Sequence, residues 1–166
     1  MRLFFALLLV MSAAAPAAYA APGPAPAQTD ATEANAAGAN PAQVASIRAG
    51  HHDCPHCMLA GADLDNTCVK KGDLTGADFD RADLTLMCMS YANFTGASFR
   101  GTDLSGANLA HADLDGADFT SANLTITSFK GTDLTKARGL TQAQLNKACG
   151  NAQTKPPAGL TVPICR

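Results

Sequence analysis

From Leu59 to Leu134 a large apolar residue recurs at every fifth position without a break. The series runs Leu59, Leu64, Val69, Leu74, Phe79, Leu84, Met89, Phe94, Phe99, Leu104, Leu109, Leu114, Phe119, Leu124, Phe129 and Leu134. Two residues before most of them stands a small one, usually alanine, such as Ala62, Ala77, Ala92 or Ala107. One residue before is usually Asp or Asn, such as Asp63, Asp78, Asn93 or Asn108. A period of five belongs neither to an amphipathic helix nor to an ordinary strand. Units in unbroken register are an internal repeat, and the repeat dictates the fold.

A five-residue unit has room for one short extended side and one corner. The large central residue and the small residue two before it point inward, and the Asp or Asn between them points outward, as strand alternation requires. Gly61, Gly76, Gly96, Gly101, Gly106, Gly116 and Gly131 fall where the corner needs a tight turn. The interior of such a coil is narrow, so alanine must alternate with Leu or Phe.

Residues 57–136 in this form resemble the pentapeptide-repeat family, and the motif covers about half of the chain. The resemblance implies an all-β fold, a right-handed quadrilateral parallel β-helix of about four coils. Four units make one coil of twenty residues, and every twentieth residue stacks on the next coil, roughly 4.8 Å away. One inward column then reads Leu59, Phe79, Phe99, Phe119, and another Leu64, Leu84, Leu104, Leu124.

The ends are organised differently. Residues 1–20 open with Met1-Arg2, continue through an apolar run from Leu3 to Met11 and finish at Ala18-Tyr19-Ala20, the form of a secretory signal peptide cleaved after Ala20. The run is too short to span a bilayer, so no membrane span is expected after cleavage. Residues 21–50 form an Ala/Pro-rich flexible linker, with a short helix expected over 41–49: Asn40 caps it, Pro41 suits its first position and Gly50 ends it. The β-helix is expected over 51–136. Over 137–166 a capping helix and a disulfide-pinned tail are expected, the helix spanning 141–149 with Thr141 and Gln144 as a capping box and Leu140 and Leu145 as a hydrophobic staple. The tail resembles a cysteine-bearing extension of some exported members of the family.

Composition fits small-residue packing. The apolar fraction of 47% is inflated by alanine, there is no Trp, and only 5% of residues are aromatic. Without Arg2, 11 basic residues stand against 14 acidic ones, a net charge near −3, which argues against nucleic acid as a partner. Some cytoplasmic relatives of the fold use an acidic β-helix to mimic DNA and bind topoisomerase. The signal peptide and the short stack speak against that role here.

The six cysteines are an even count in a chain read as exported, which points to disulfides. Cys68 and Cys88 lie one coil apart in the outward slot normally held by Asp or Asn, so they are expected to pair. Cys149 and Cys165 are expected to pin the tail to the lid helix. Cys54-Pro55-His56-Cys57 follows His51-His52-Asp53 and admits three readings. It is a structural disulfide, within the pair or with another cysteine; or a zinc or copper site from His51, His52, Cys54, His56 and Cys57; or a redox-active pair. The tetrapeptide resembles the active site of thioredoxin-like oxidants, but the βαβ pattern that chemistry uses is missing. Asp63, Asp83, Asp103 and Asn123 form an outward column that reads as a calcium ladder or as side chains accepting hydrogen bonds from corner backbone.

One stretch departs from the repeat. Leu86, Met87, Cys88, Met89 and Tyr91 replace the usual small and polar residues, and Ile126 lies two coils from Leu86. If Leu86, Tyr91 and Ile126 point outward they form an apolar patch, covered by the chain's own ends or used for a protein partner. None of the four histidines is paired by pattern with a nucleophile and an orienting acid. The expected function is therefore a non-enzymatic scaffold for structure or protein interaction, periplasmic or secreted and without a cofactor, with a metal-binding envelope protein as the alternative.

Overall fold

The computed structural model describes residues 38–166. The expected signal peptide over 1–20 and most of the linker lie outside the described residues. Parallel bridges join each outward residue to the one twenty further on, from Met58 with Asp78 to Asp118 with Arg138. The rungs are spaced five residues apart along the chain, so each turn of twenty residues has four short sides.

The backbone bonds explain why the sides are so short. At each corner the amide after the turn donates to the central residue's carbonyl, as Ala62 does to Leu59 (3.0 Å) and Ala107 to Leu104 (3.0 Å). The remaining amides reach the coils above and below: Leu59 N donates to Asp78 O, and Asp78 N to Cys57 O, both at 2.8 Å. Such a turn puts positive φ on its third residue. Every fifth residue from His56 to Gly131 has it, but glycine fills only seven of these corners. His56, Asn66, Lys71, Arg81, Leu86, Tyr91, His111, Ser121 and Ile126 occupy the others at φ 52–62°. The glycine pattern alone thus understates the corners, because the ladder imposes the left-handed conformation whatever the side chain.

The core is the stack of inward columns. Every central residue from Leu59 to Leu134 is buried, with alanines between them. Phe79, Phe99 and Phe119 stack face to face at 5.2 and 5.0 Å, and Phe94 meets Phe79 and Phe99 edge-on at 5.9 and 5.4 Å. Offset and edge contacts of this kind add to the burial of the rings. Threonine takes the small slot at four positions, Thr67, Thr102, Thr127 and Thr132, and the last three are fully buried with their hydroxyls bonded between coils. Thr102, Thr127 and Thr132 donate to the carbonyls of Phe79, Leu104 and Leu109 on the coil below, at 2.6, 2.8 and 2.7 Å.

Helix α1 (Pro41–Arg48) covers the first coil. Asn40 caps it, and its own amide donates to Met58 O at 2.8 Å, while Gln43 Oε1 accepts from Met58 N at 2.8 Å. Ile47 is buried against the core, and Arg48 reaches the Asp63 carbonyl and carboxylate. Gly72 stands where residues 51–53 enter the first coil. A β-carbon there would meet the backbone of His52, with its carbonyl carbon 2.9 Å away, so only glycine fits.

The C-terminal helix α2 (Gln142–Leu145) is shorter than the 141–149 expected. The capping box of Thr141 and Gln144 is present, and Leu145 is buried. Beyond it the chain returns to the ladder: Ile126 N donates to Lys147 O (2.7 Å), Phe129 N to Cys149 O (2.8 Å) and Leu134 N to Lys155 O (2.8 Å). Those bonds return residues 147–155 to the ladder, with a turn at Ala152-Gln153, and so end the helix. Gly150 is not a helix stop either; it is buried and pairs with Ile164. Gln144 Nε2 meets two further carbonyls of the last coil, Phe119 O and Ala122 O, at 2.9 and 3.0 Å.

Candidate functional site

Three groups of side chains were singled out by sequence, and the structure treats them differently. In the segment before the first repeat, Cys54 and Cys57 are bonded to each other. Cys54 takes the central slot of an extra leading unit and Cys57 the small slot of the next, so both face inward across one corner. Both sulfurs are consumed by that bond, while His51, His52 and His56 are exposed. The imidazole of His56 lies over Gly76 instead of turning back toward the cysteines. The expected zinc or copper set of His51, His52, Cys54, His56 and Cys57 is not brought together. Among the described residues no cluster of three or more His, Cys, Asp or Glu converges on a point.

The outward Asp and Asn columns are taken up by the corners. Each side chain accepts from the amide two residues on, as in Thr75 N to Asp73 (3.1 Å), Thr85 N to Asp83 (3.0 Å) and Thr120 N to Asp118 (2.9 Å). In Asp73, Asp103, Asp118 and Asp133 that residue is Thr or Ser, and its hydroxyl adds a second bond to the same oxygen at 2.6 Å. Bonds to the charged form favour it. The Thr75 hydroxyl and amide hold Asp73 below the usual carboxylate range, and those of Thr120 do the same for Asp118. Burial raises Asp103, but the bonds from Ser105 and Asn123 outweigh it and leave it lowered. Asp133, bonded by Thr135 and then by Lys155, is lowered to about 2. The depression of about 330 Å³ beside His111, Asp113, Asp115 and Asp133 already has cations at its edge, Lys136 on Asp115 (2.5 Å) and Lys155 on Asp133 (3.0 Å).

The third group forms one side of the coil. Its outward column runs Cys68, Cys88, Asn108, Ser128, Cys149, joined rung by rung. Cys68 is bonded to Cys88, with Cα atoms 4.6 Å apart, and Cys149 to Cys165 at 4.8 Å, so a disulfide pins each end of this side. One flanking corner column is Asn66, Leu86, Gly106, Ile126, with Lys147 paired beyond it; the other is Lys71, Tyr91, His111, Gly131. Leu86, Tyr91 and Ile126 are 62%, 59% and 73% exposed, so neither end of the described chain covers them. Tyr91 and His111 stack one coil apart at 4.8 Å, and His111 lies over Gly131. Met87 and Met89 face inward and are fully buried.

The segments of this side, 66–71, 86–91, 106–111, 126–131 and 147–151, contain no Asp or Glu. The other three sides carry all eleven aspartates of the repeat span. The segregation is visible in the sequence once the series is folded at twenty residues, where one of the four outward columns holds no carboxylate.

Residues 57–101, 88–125 and 102–138 match the model for Pentapeptide repeats in 8 copies. No curated protein matches the sequence. Among solved structures, a pentapeptide repeat protein, Rfr23, from the cyanobacterium Cyanothece 51142 is 26% identical. The match covers 60% of this chain and 64% of that one, with a TM-score of 0.49. A pentapeptide repeat protein of the Arabidopsis thaliana thylakoid lumen is 28% identical over 72% of this chain and 67% of that one, at a TM-score of 0.39. QnrB1, a plasmid-mediated fluoroquinolone resistance protein, is 17% identical over 67% and 58%, at 0.37. The chain thus spans just under two thirds of the length of the cyanobacterial relative.

Proposed function

This chain belongs to the pentapeptide-repeat family, whose fold is the right-handed quadrilateral β-helix, and from that premise we propose that it is an exported, non-enzymatic scaffold that binds another protein. The docking surface is the side bearing Leu86, Tyr91 and Ile126. The observation that carries this reading is the exposure of those three large apolar residues on one side of a rigid stack. The disulfides suit an oxidising compartment, periplasmic or extracellular. In this reading residues 1–20 are a signal peptide, 21–50 a linker ending in α1, 51–136 about four coils and 137–166 a cap in which α2 and the Cys149–Cys165 tail close the last coil.

A photo-crosslinking amino acid at position 91 tests the docking surface in the intact cell, with the same group at position 83 on an aspartate side as control. A discrete adduct from position 91 and none from 83 is expected. Equal labelling from both positions would overturn the reading. Intact mass of the exported protein checks the rest: loss of residues 1–20 and no free thiol are expected.

A further inference from the structure

We propose that the side bearing Leu86, Tyr91 and Ile126 docks an acidic polypeptide, a partner segment with carboxylates at its ends and apolar side chains between them. The proposal rests on the reading of that side as a protein-binding surface and specifies the chemistry of its partner.

Charge supplies the first argument. On this side Lys70, Lys71, Lys130 and Lys147 are exposed, and none has an ion-pair partner among the described residues. Elsewhere Arg48, Arg100, Lys136 and Lys155 each meet an aspartate, and of the cations on the other sides of the repeat only Arg81 and Arg138 lack one among the described residues. A protein that is acidic on three sides and unpaired-basic on the fourth steers an acidic partner to the fourth and repels it from the rest.

Backbone conformation supplies the second. Leu86, Tyr91 and Ile126 sit at φ 57°, 62° and 61°, in the left-handed region that disfavours large L side chains, and a β-branched residue most of all. Of the other thirteen corners seven are glycine and six are polar (His56, Asn66, Lys71, Arg81, His111 and Ser121), so only these three place a large, mainly apolar side chain there. Three bulky apolar side chains kept at strained, exposed positions, all flanking the one acid-free side, mark a place where the side chain is wanted for something other than folding.

The layout fits an extended segment. Lys70 and Lys71 stand at the first coil, Leu86 and Tyr91 at the second, His111 at the third, Ile126 and Lys130 at the fourth, and Lys147 beyond it. Five layers spaced about 4.8 Å apart span about 19 Å, the length of about six extended residues. Carboxylates at the two ends of such a segment meet lysines, and apolar side chains between them meet Leu86, Tyr91 and Ile126. The disulfides at both ends hold the surface in shape before binding, which reduces the ordering cost of association.

The test uses the disulfide-intact exported protein and a labelled random copolymer of glutamate and tyrosine, with binding read by fluorescence anisotropy at low and high salt. Polyglutamate, polylysine and polygalacturonate are the comparison probes. Salt-sensitive binding of the Glu/Tyr copolymer above all three is expected. The Lys70→Glu/Lys71→Glu/Lys130→Glu variant and the Leu86→Gly/Tyr91→Gly/Ile126→Gly variant should each weaken it about tenfold or more. The glycine variant places at these corners the residue already found at seven others, so it preserves the fold, which circular dichroism verifies. No binding, binding unchanged in both variants, or equal binding of polygalacturonate would overturn the proposal. The crosslink from position 91 separates the two readings. Charge reversal that leaves an intact adduct refutes the acidic partner alone, whereas absence of any adduct refutes the docking surface with it.

Discussion

Leu86 lies over Gly106: a β-carbon on residue 106 would stand 2.7 Å from Leu86 Cδ2. The same relation joins His56 to Gly76 and His111 to Gly131, so a corner side chain leans one coil toward the C-terminus and uses the space a glycine leaves there. Gly106 is held at φ 70° as well. Replacing it by alanine therefore costs twice, about 1 kcal/mol or more for the left-handed backbone and a further amount for displacing Leu86. In a Leu86→Gly background only the first cost remains. Urea unfolding of both single variants and the double variant should give a coupling of about 0.5 kcal/mol or more. Additive effects would show that the two residues do not share that space.

Ile126 provides the converse case. Ile126→Gly removes a left-handed penalty of about 1–2 kcal/mol and adds an unfolded-state entropy cost of about 0.5–1 kcal/mol. A net stabilisation of about 0.5–1 kcal/mol follows, which thermal or urea unfolding measures. A destabilised variant would mean that Ile126, despite its 73% exposure, packs on the coil.

The inward columns were legible because period and burial coincide. Phe79, Phe99 and Phe119 stack because twenty residues return the chain to the same side. The spacing of Cys68 and Cys88 carries the same information. Other features leave no such trace. The left-handed φ of Ile126 comes from ladder bonds that override its local preference. The tail pairs at offsets of 21 and 22, Ser128 with Cys149 and Asp133 with Lys155, so no period survives to reveal it. Thr127 reads as a minor variant of alanine until the Leu104 carbonyl is seen beneath it. Nor does the sequence of His51–Cys57 show which of its donors face one another: it places them close along the chain, while the structure bonds Cys54 to Cys57 and leaves His51, His52 and His56 exposed.

Thr127 thus offers a clean measurement. Thr127→Val keeps the volume and removes the 2.8 Å bond to Leu104 O, at a cost of about 1 kcal/mol. Thr67 holds the same slot on the first coil, where its hydroxyl bonds within its own turn to Leu64 O instead of reaching a coil below. It is only partly buried, so Thr67→Val should cost less. Equal losses in urea unfolding would show that the bond between coils adds nothing beyond the local one.

The three disulfides should differ in value. Cys68–Cys88 and Cys149–Cys165 span 20 and 16 residues, and Cys54–Cys57 only 3. In the chain-entropy model the longer two stabilise by about 3 kcal/mol each and the short one by about 2 kcal/mol. Paired Cys→Ser variants, unfolded in urea without reductant, should rank in that order. Loss of Cys149–Cys165 should also raise hydrogen exchange over 147–165, where the tail is tied to the last coil.

Acid sensitivity follows from the corner aspartates. Asp73, Asp103, Asp118 and Asp133 are all held below the ordinary carboxylate range, Asp133 at about 2, by hydrogen bonds that exist only in the folded coil. With folded values below the unfolded value of about 3.9, their contribution is present above that value and is lost as pH falls through the folded one. Asp65 is raised by its hydrogen bond and charge contact with Asp63, so its contribution runs the other way, lost as pH rises. The thermal midpoint should therefore be nearly flat above about pH 5 and fall between about pH 4 and 2. Asp133→Asn keeps an oxygen for the Thr135 amide and hydroxyl but cannot titrate and gives up the Lys155 pair. The variant should start lower at neutral pH and lose less on acidification, so that the two curves converge at low pH. Parallel curves would show that Asp133 does not carry the acid limb.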